Sequence, residues 1–132
     1  MEGFNAVSFD PGAGFSGVPV VARIEYDIQT LRVVLEFEGH NQPVHLEFED
    51  VGGFRVLDEG QLSAFWSSDV RADGWLWEVK AGGWHALEST RADFILGLTP
   101  LGQGPREFIV LGADDCVSVI TWAEPRARVA GP

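Results

Sequence analysis

The sequence contains a single cysteine, Cys116, and only nine lysine and arginine residues in 132 positions. One cysteine excludes an internal disulfide and a cysteine-rich zinc site, and its place at the start of an apolar stretch indicates a core residue. No apolar run approaches the roughly 18–20 residues of a membrane-spanning helix. The N-terminal residues, from Met1-Glu2 onward, lack the basic region and apolar stretch of a signal peptide. We therefore expect a cytoplasmic protein with no membrane association.

Acidic residues greatly outnumber basic ones. Asp and Glu total 20, which gives a formal net charge of -11 and a sequence pI near 4.5. A chain with this charge is repelled by phosphate groups and attracted to basic proteins, so we expect no nucleic-acid partner and a possible basic protein partner. Hydrophobic residues make up 45% of the chain, which excludes a disordered protein.

Apolar and polar residues alternate with period two along much of the chain, and this alternation is typical of half-buried strands. Short helical spacings occur only near 60–67 and 84–92. We predict a single domain, 1–132, that is mostly β: an antiparallel meander, rolled sheet or sandwich with one or two short helices. The predicted strand segments are 18–28, 31–38, 44–49, 54–57, 75–80, 106–111 and 117–122.

Cross-strand charges suggest how the first three strands pair, because opposite charges on neighbouring strands attract. The predicted pairs are Ile28 with Leu31 in the first hairpin and Phe37 with Val44 in the second. The second pairing also places Glu36 beside His45.

Glycine and proline mark the loops. Residues 10–19 form a Gly/Pro-rich loop with Phe15 as its anchor, and Gly52-Gly53 indicates a bulge or tight turn. Residues 112–115 predict a hairpin turn. The segment 126–132 reads as a flexible basic tail.

In each predicted strand, alternate residues point to the core and to the solvent-exposed face. The predicted core consists of Ile24, Leu35, Phe37, Leu46, Phe48, Trp75, Trp77, Val110 and Val119. The opposite phase predicts one acidic surface of Glu25, Glu36, Glu38, Glu47 and Glu49, with Arg23, Arg32 and His45 among them. If this surface only keeps the protein soluble, Glu47→Lys should be neutral or stabilising.

The candidate binding residues are those of this acidic surface together with one exposed tryptophan: Glu36, Glu38, His45, Glu47, Glu49 and Trp84. A histidine among carboxylates is also a possible metal site, but a solvated sheet face explains the pattern better. No motif for a nucleophile, a dinucleotide or a zinc hydrolase is present in the right context. We therefore assign no catalytic residue, no cofactor and no metal.

Four short motifs occur in order along the chain: FRVLDEG at 54–60, FW at 65–66, GWLWEV at 74–79 and CVSVITWAEP at 116–125. Together they resemble a family of small bacterial proteins with the pattern FRVxDEG, W, GWxxxV, CxxV and EP, and with no assigned activity. The resemblance extends over 31–125 and implies a fold and a bacterial cytoplasm, but no reaction.

These observations favour a non-catalytic binding protein that presents acidic surface to a basic protein, in the manner of an inhibitor or immunity protein. The alternative is a small-molecule binder whose pocket, in a rolled sheet, is lined by some of the five tryptophans. An enzyme that uses His40, His45 or His85 is disfavoured because no second catalytic group accompanies them. The sequence leaves the oligomeric state open.

Overall fold

A computed structural model describes residues 5–12, 15, 17–58, 74–81 and 104–130. The segments for which short helices were predicted, 60–67 and 84–92, lie outside these residues, as do Trp66 and Trp84. No helix among the described residues is long and apolar enough to cross a bilayer.

The described residues form two antiparallel sheets that pack face to face as a sandwich, which confirms the mostly-β prediction. One sheet has five strands in the order β1-β6-β7-β8-β5, and the other has four in the order β2-β3-β4-β9. The strands are β1 (Asn5–Ser8), β2 (Val20–Tyr26), β3 (Thr30–Glu36), β4 (Val44–Glu49), β5 (Val51–Asp58), β6 (Leu76–Ala81), β7 (Arg106–Leu111), β8 (Asp115–Thr121) and β9 (Arg126–Val129).

The first hairpin is paired two residues away from the predicted register: Leu31 lies opposite Tyr26 instead of Ile28. The turn explains the difference. Asp27 Oδ1 accepts hydrogen bonds from the backbone N–H groups of Gln29 and Thr30, at 3.0 and 2.7 Å. These bonds close the turn at Asp27 and Thr30, so Ile28 stands at its tip.

The second hairpin is also shifted by two residues, because Val44 pairs with Leu35 and not with Phe37. Phe37 lies beyond the end of β3, where its ring stacks on Phe15 and meets Trp75 edge-on. Packing of this ring outweighs the charge pairs on which the predicted register was based. A shift of two residues keeps every side chain on its predicted face.

The core between the sheets agrees with the prediction, with two differences. Phe48 and Leu46 are fully buried, and Phe48 approaches Phe108 of the other sheet. Ile24 is only half-buried because β2 is an edge strand. Trp77 is buried on the reverse face of the five-stranded sheet, in a second cluster that includes Cys116.

The described residues of the 10–19 segment contact the sandwich, and Phe15 packs against its core as predicted. The indole N–H of Trp75 donates to the Phe15 carbonyl at 3.1 Å. Earlier in the loop, the carbonyl of Pro11 accepts from the backbone N–H of Ala127 at 3.1 Å. These two hydrogen bonds join this segment to Trp75, just before β6, and to Ala127 of β9.

The prediction of a flexible basic tail over 126–132 is wrong for its first four residues. Arg126–Val129 is strand β9, which pairs with β4 so that Arg126 lies opposite Glu47 and Arg128 opposite His45. Ala127 faces inward and packs on the core. Pairing to β4 and this inward contact hold the segment in place and bring two arginines to the outer face of the four-stranded sheet.

Candidate functional site

A line of alternating charges crosses the outer face of the four-stranded sheet. We call it the charge ladder: Arg23, Glu25, Arg32, Glu47 and Arg128. Arg23 Nε lies 2.8 Å from Glu25, and Arg32 Nη1 donates to the same carboxylate at 3.1 Å. Arg32 also reaches Glu47 at 2.7 Å, and Arg128 approaches Glu47 at 3.2 Å. Each carboxylate of the ladder therefore lies between two guanidinium groups.

The hydrogen bonds of the ladder shift the pKa values of Glu47 and Arg32. Hydrogen bonds from Arg128, and then from Arg32, hold the pKa of the Glu47 carboxyl below its ordinary value. The hydrogen bond to Glu47 raises the pKa of the Arg32 guanidinium, so this pair stays ionised at neutral pH.

The centre of this face is not acidic, contrary to expectation. The ladder has three arginines and two glutamates, and Arg126 is exposed next to it. Arg23 and Arg32 were expected to neutralise the face only in part. Strand β9 contributes Arg126 and Arg128, so arginines outnumber glutamates at the centre of the face.

The predicted binding residues do not form one cluster. Glu36 lies at the end of β3 opposite Val20, and Glu38 follows in the exposed turn. Glu47 is part of the ladder, whereas Glu49 is exposed at the opposite end of the sheet from Glu36. Trp84 lies outside the described residues.

His45 lies between Val34 and Arg128 on the outer face. Its Nδ1 atom is buried and has no hydrogen-bond partner. Burial, and then the charges of Arg128 and Arg32, lower the pKa of the imidazole below its ordinary value. His45 is therefore neutral at physiological pH and adds no positive charge to the face.

Within the described part of the chain, no three His, Cys, Asp or Glu side chains are grouped as the ligands of a metal ion would be. Of His45 and Glu47, which share a strand face, Glu47 is paired with Arg32 and Arg128, whereas His45 Nδ1 has no hydrogen-bond partner among these residues.

A concave surface lies at the end of the sandwich where β4 ends and β9 begins. We call it the carboxylate groove. It has a volume of about 430 Å³. Among the described residues of its walls, three are carboxylates, those of Asp10, Glu49 and Glu124, and one is a cation, Arg126. The remaining lining residues are Phe9, Pro11, Gly12, Ala123 and Pro125.

Glu124 forms an ion pair with Arg106. Arg106 Nη1 donates to Glu124 at 3.0 Å, while Nε and Nη2 of the same guanidinium donate to Glu78 at 2.8 and 2.9 Å. The guanidinium also lies over the ring of Phe9, 5.8 Å from its centroid, and over that of Phe108. Held from several sides, Arg106 connects the sandwich interior to the rim of the groove.

The two other acidic groups of the groove leave oxygen atoms available to a ligand. One oxygen of Asp10 accepts a hydrogen bond from the Gly12 N–H at 2.9 Å, which orients the side chain. The Glu49 carboxylate is exposed and has no ion pair within the described residues. A cationic group that enters the groove would therefore meet at least two carboxylates with free lone pairs.

Among the described residues, no tryptophan lines this groove or a second one formed by Glu25, Tyr26, Asp27, Thr30 and Arg32. Trp75 is in the core between the sheets, and Trp77 is on the reverse face of the five-stranded sheet. These two rings therefore do not share a pocket, and a tryptophan-lined site that includes Trp66 or Trp84 stays a prediction.

No protein-family model, no curated protein and no solved structure matches the chain. The resemblance to a bacterial family therefore stays a prediction, and function is inferred from the side chains alone.

The sequence did not predict the carboxylate groove. Its walls come from residues 9–12 and 123–126, which are more than a hundred positions apart. Glu49 was among the predicted binding residues, but Asp10 was assigned only to a loop, and Glu124 only to the EP element of the family-like pattern. Their one shared signal is an adjoining proline, Pro11 or Pro125, and that signal indicates a turn and not a site.

Proposed function

We propose that the protein is a non-catalytic cytoplasmic binding protein that holds a basic segment of a protein partner in the carboxylate groove. In this it would be comparable to an inhibitor or an immunity protein. The observation that carries the proposal is the groove itself, whose described lining includes three carboxylates and one arginine together with Phe9 and two prolines.

Concavity favours the groove over the sheet face as the binding surface. A cleft lined mainly by one sign of charge concentrates its electric field and attracts ions of the opposite sign. On the sheet face, by contrast, each ladder carboxylate already has two arginine partners. A lysine or arginine of the partner gains more from Glu49 than from Glu47, because Glu47 is already paired.

The apolar part of the groove suits the stem of a long basic side chain. Lysine and arginine carry three or four methylene groups that pack on apolar surface while the charged end reaches a carboxylate. Phe9, Pro11 and Pro125 offer that surface beside Asp10 and Glu124. We therefore expect lysine- or arginine-rich segments to bind in preference to small inorganic cations.

The test compares two double variants that remove the same charge from opposite ends of the sheet. Glu49→Gln/Glu124→Gln changes the groove, and Glu36→Gln/Glu38→Gln changes the other end, where both side chains are exposed. A basic protein that wild type retains from a lysate at low salt is purified and titrated calorimetrically against each variant.

We expect the groove variant to bind about tenfold more weakly, since two lost charge contacts of roughly 0.5–1 kcal/mol each together weaken binding by about 1–2 kcal/mol. The control variant should bind within about twofold of wild type. Equal weakening by both variants would show that only the net charge matters and would contradict the proposal.

A further inference from the structure

Ile28 occupies an unusual position at the tip of the β2–β3 hairpin. Its φ angle is +81°, in the left-handed region, and the residue is 80% exposed. Residues with a branched Cβ rarely adopt this conformation because the side chain crowds its own backbone. Glycine, asparagine or aspartate is the usual choice at such a turn.

Neighbouring polar groups impose this conformation on Ile28. The Asp27 carboxylate accepts two backbone hydrogen bonds across the turn, and the Asp27 N–H donates to the Thr30 carbonyl at 3.2 Å. The hydroxyl of Tyr26 donates to the Ile28 carbonyl at 3.3 Å. The isoleucine side chain has no part in these contacts, so a smaller or polar residue would form the same turn with less strain.

Exposed apolar surface continues from Ile28 along the same side of the molecule. Tyr26 is 45% exposed and meets Phe54 of the other sheet edge-on, with ring centroids 5.3 Å apart. Val56, on the same strand as Phe54, is 47% exposed. Tyr26 thus links the isoleucine tip to the edge of the second sheet.

Carboxylates surround this apolar tip. Asp27 precedes Ile28, and backbone hydrogen bonds from Thr30 and Gln29 lower the pKa of its carboxyl, which is therefore ionised at neutral pH. Thr30 pairs with Glu49 on the adjacent strand, and Asp50 follows Glu49. All three acidic side chains are exposed.

We propose that Ile28 is an anchor that inserts into an apolar pocket of the protein partner, and that this pocket has a basic rim. The inference rests on the proposed function and extends it, because Glu49 joins the hairpin end to the carboxylate groove. The basic rim follows from charge complementarity to Asp27, Glu49 and Asp50. A second copy of this chain is a poor occupant, since it would bring the same carboxylates against their equivalents.

The experiment uses a photoreactive p-benzoylphenylalanine at position 28, with the same group at position 7 as a matched control. Val7 is also exposed, but it lies on edge strand β1, which belongs to the other sheet. After irradiation in cells of the source organism, we expect a basic protein to be cross-linked through position 28 and not through position 7.

The cross-linked partner is then purified in its free form and titrated against wild type, Ile28→Asn and Ile28→Val. We expect Ile28→Asn to bind at least tenfold more weakly and Ile28→Val to stay within about threefold. Asparagine tolerates the left-handed conformation, so Ile28→Asn should unfold at the same or a higher temperature than wild type.

Three results would overturn the anchor: no adduct through position 28, wild-type affinity in Ile28→Asn, or weaker binding accompanied by a lower unfolding temperature. Weaker binding together with a lower unfolding temperature would show that Ile28 stabilises the fold and does not contact the partner. If Ile28→Asn binds normally while Glu49→Gln/Glu124→Gln does not, the anchor fails and the proposed function stands. If neither variant is affected, both fail.

Discussion

Arg106 donates two hydrogen bonds to Glu78 through adjacent nitrogens of one guanidinium. The Glu78 side chain is only 8% exposed, so Glu78→Gln would leave a partly buried arginine without its principal counter-ion. We expect this variant to lose about 2–3 kcal/mol of unfolding free energy in urea titrations, somewhat less than for a fully buried pair because Arg106 remains in contact with solvent. Glu124→Gln, which affects the exposed partner of the same guanidinium, should cost no more than about 0.5 kcal/mol. Equal losses would contradict this assignment.

The ion pair of Glu78 and Arg106 also predicts how the stability of the protein depends on pH. The hydrogen bond from Arg106 lowers the pKa of the Glu78 carboxyl from its usual 4.5. A carboxylate with a lowered folded pKa stabilises the protein above its unfolded pKa, and this contribution is lost as the pH falls through the folded value. Wild type should therefore lose stability below about pH 4.5 more steeply than Glu78→Gln. Parallel pH curves from thermal unfolding would refute the pairing.

Glu47→Lys should destabilise the protein, in contrast to the expectation from the sequence. The new ammonium group would replace a carboxylate that lies between Arg32 and Arg128. We expect a loss of about 1–2 kcal/mol at low salt that shrinks as salt is added, because these side chains are partly exposed. Glu49→Lys makes the same charge change without breaking an ion pair among the described residues, and it should stay within about 0.5 kcal/mol of wild type.

His45 should make the protein less stable below neutral pH. Burial, followed by the charges of Arg128 and Arg32, lowers the pKa of the imidazole from 6.5. The unfolded chain therefore binds the proton first, and stability falls as the pH drops from 6.5 toward the folded value. We expect His45→Gln to show a flatter stability profile between pH 7 and 5. An unchanged slope would mean that other groups cause the loss.

Gly112 should tolerate no side chain, although its φ is ordinary. A Cβ there would collide with the Asp115 carbonyl oxygen and lie 2.9 Å from a methyl of Val21 in the other sheet. Gly112→Ala should therefore lower the free energy of unfolding by about 2 kcal/mol or more.

Gly39 provides the control, because it has a φ of +83° but open space around it. Gly39→Asn should thus be nearly neutral, whereas Gly112→Asn should be worse than Gly112→Ala. The reverse order in chemical denaturation would contradict the steric account.

The sequence predicted the strands that carry a long alternation or a long apolar run, and it missed the two shortest strands, β1 and β9. Strands β3 and β4 each have three inward-facing apolar residues at alternate positions, so the alternation alone was sufficient to assign their buried and exposed faces. Strands β1 and β9 have four residues each, too few to show a period. Only pairing with β6 and β4, respectively, makes them strands.

The registers and the groove depended on interactions that a pattern of residue types does not contain. Cross-strand charge pairs contribute roughly 0.2–1 kcal/mol each, and such weak terms are outweighed by a capped turn at Asp27 and by burial of the Phe37 ring. The groove requires the hydrogen bond between Ala127 and Pro11, which joins the two ends of the chain. Nothing local to either segment predicts that contact.

The most direct test of the binding function measures how the association rate of the basic partner depends on salt. Rates are recorded by stopped-flow from low to physiological ionic strength for wild type, Glu49→Gln/Glu124→Gln and Glu36→Gln/Glu38→Gln. If the carboxylate groove guides the partner, the groove variant associates more slowly at low salt and its rate depends less steeply on salt, while the control variant follows wild type. Identical salt dependence in all three proteins would contradict the account.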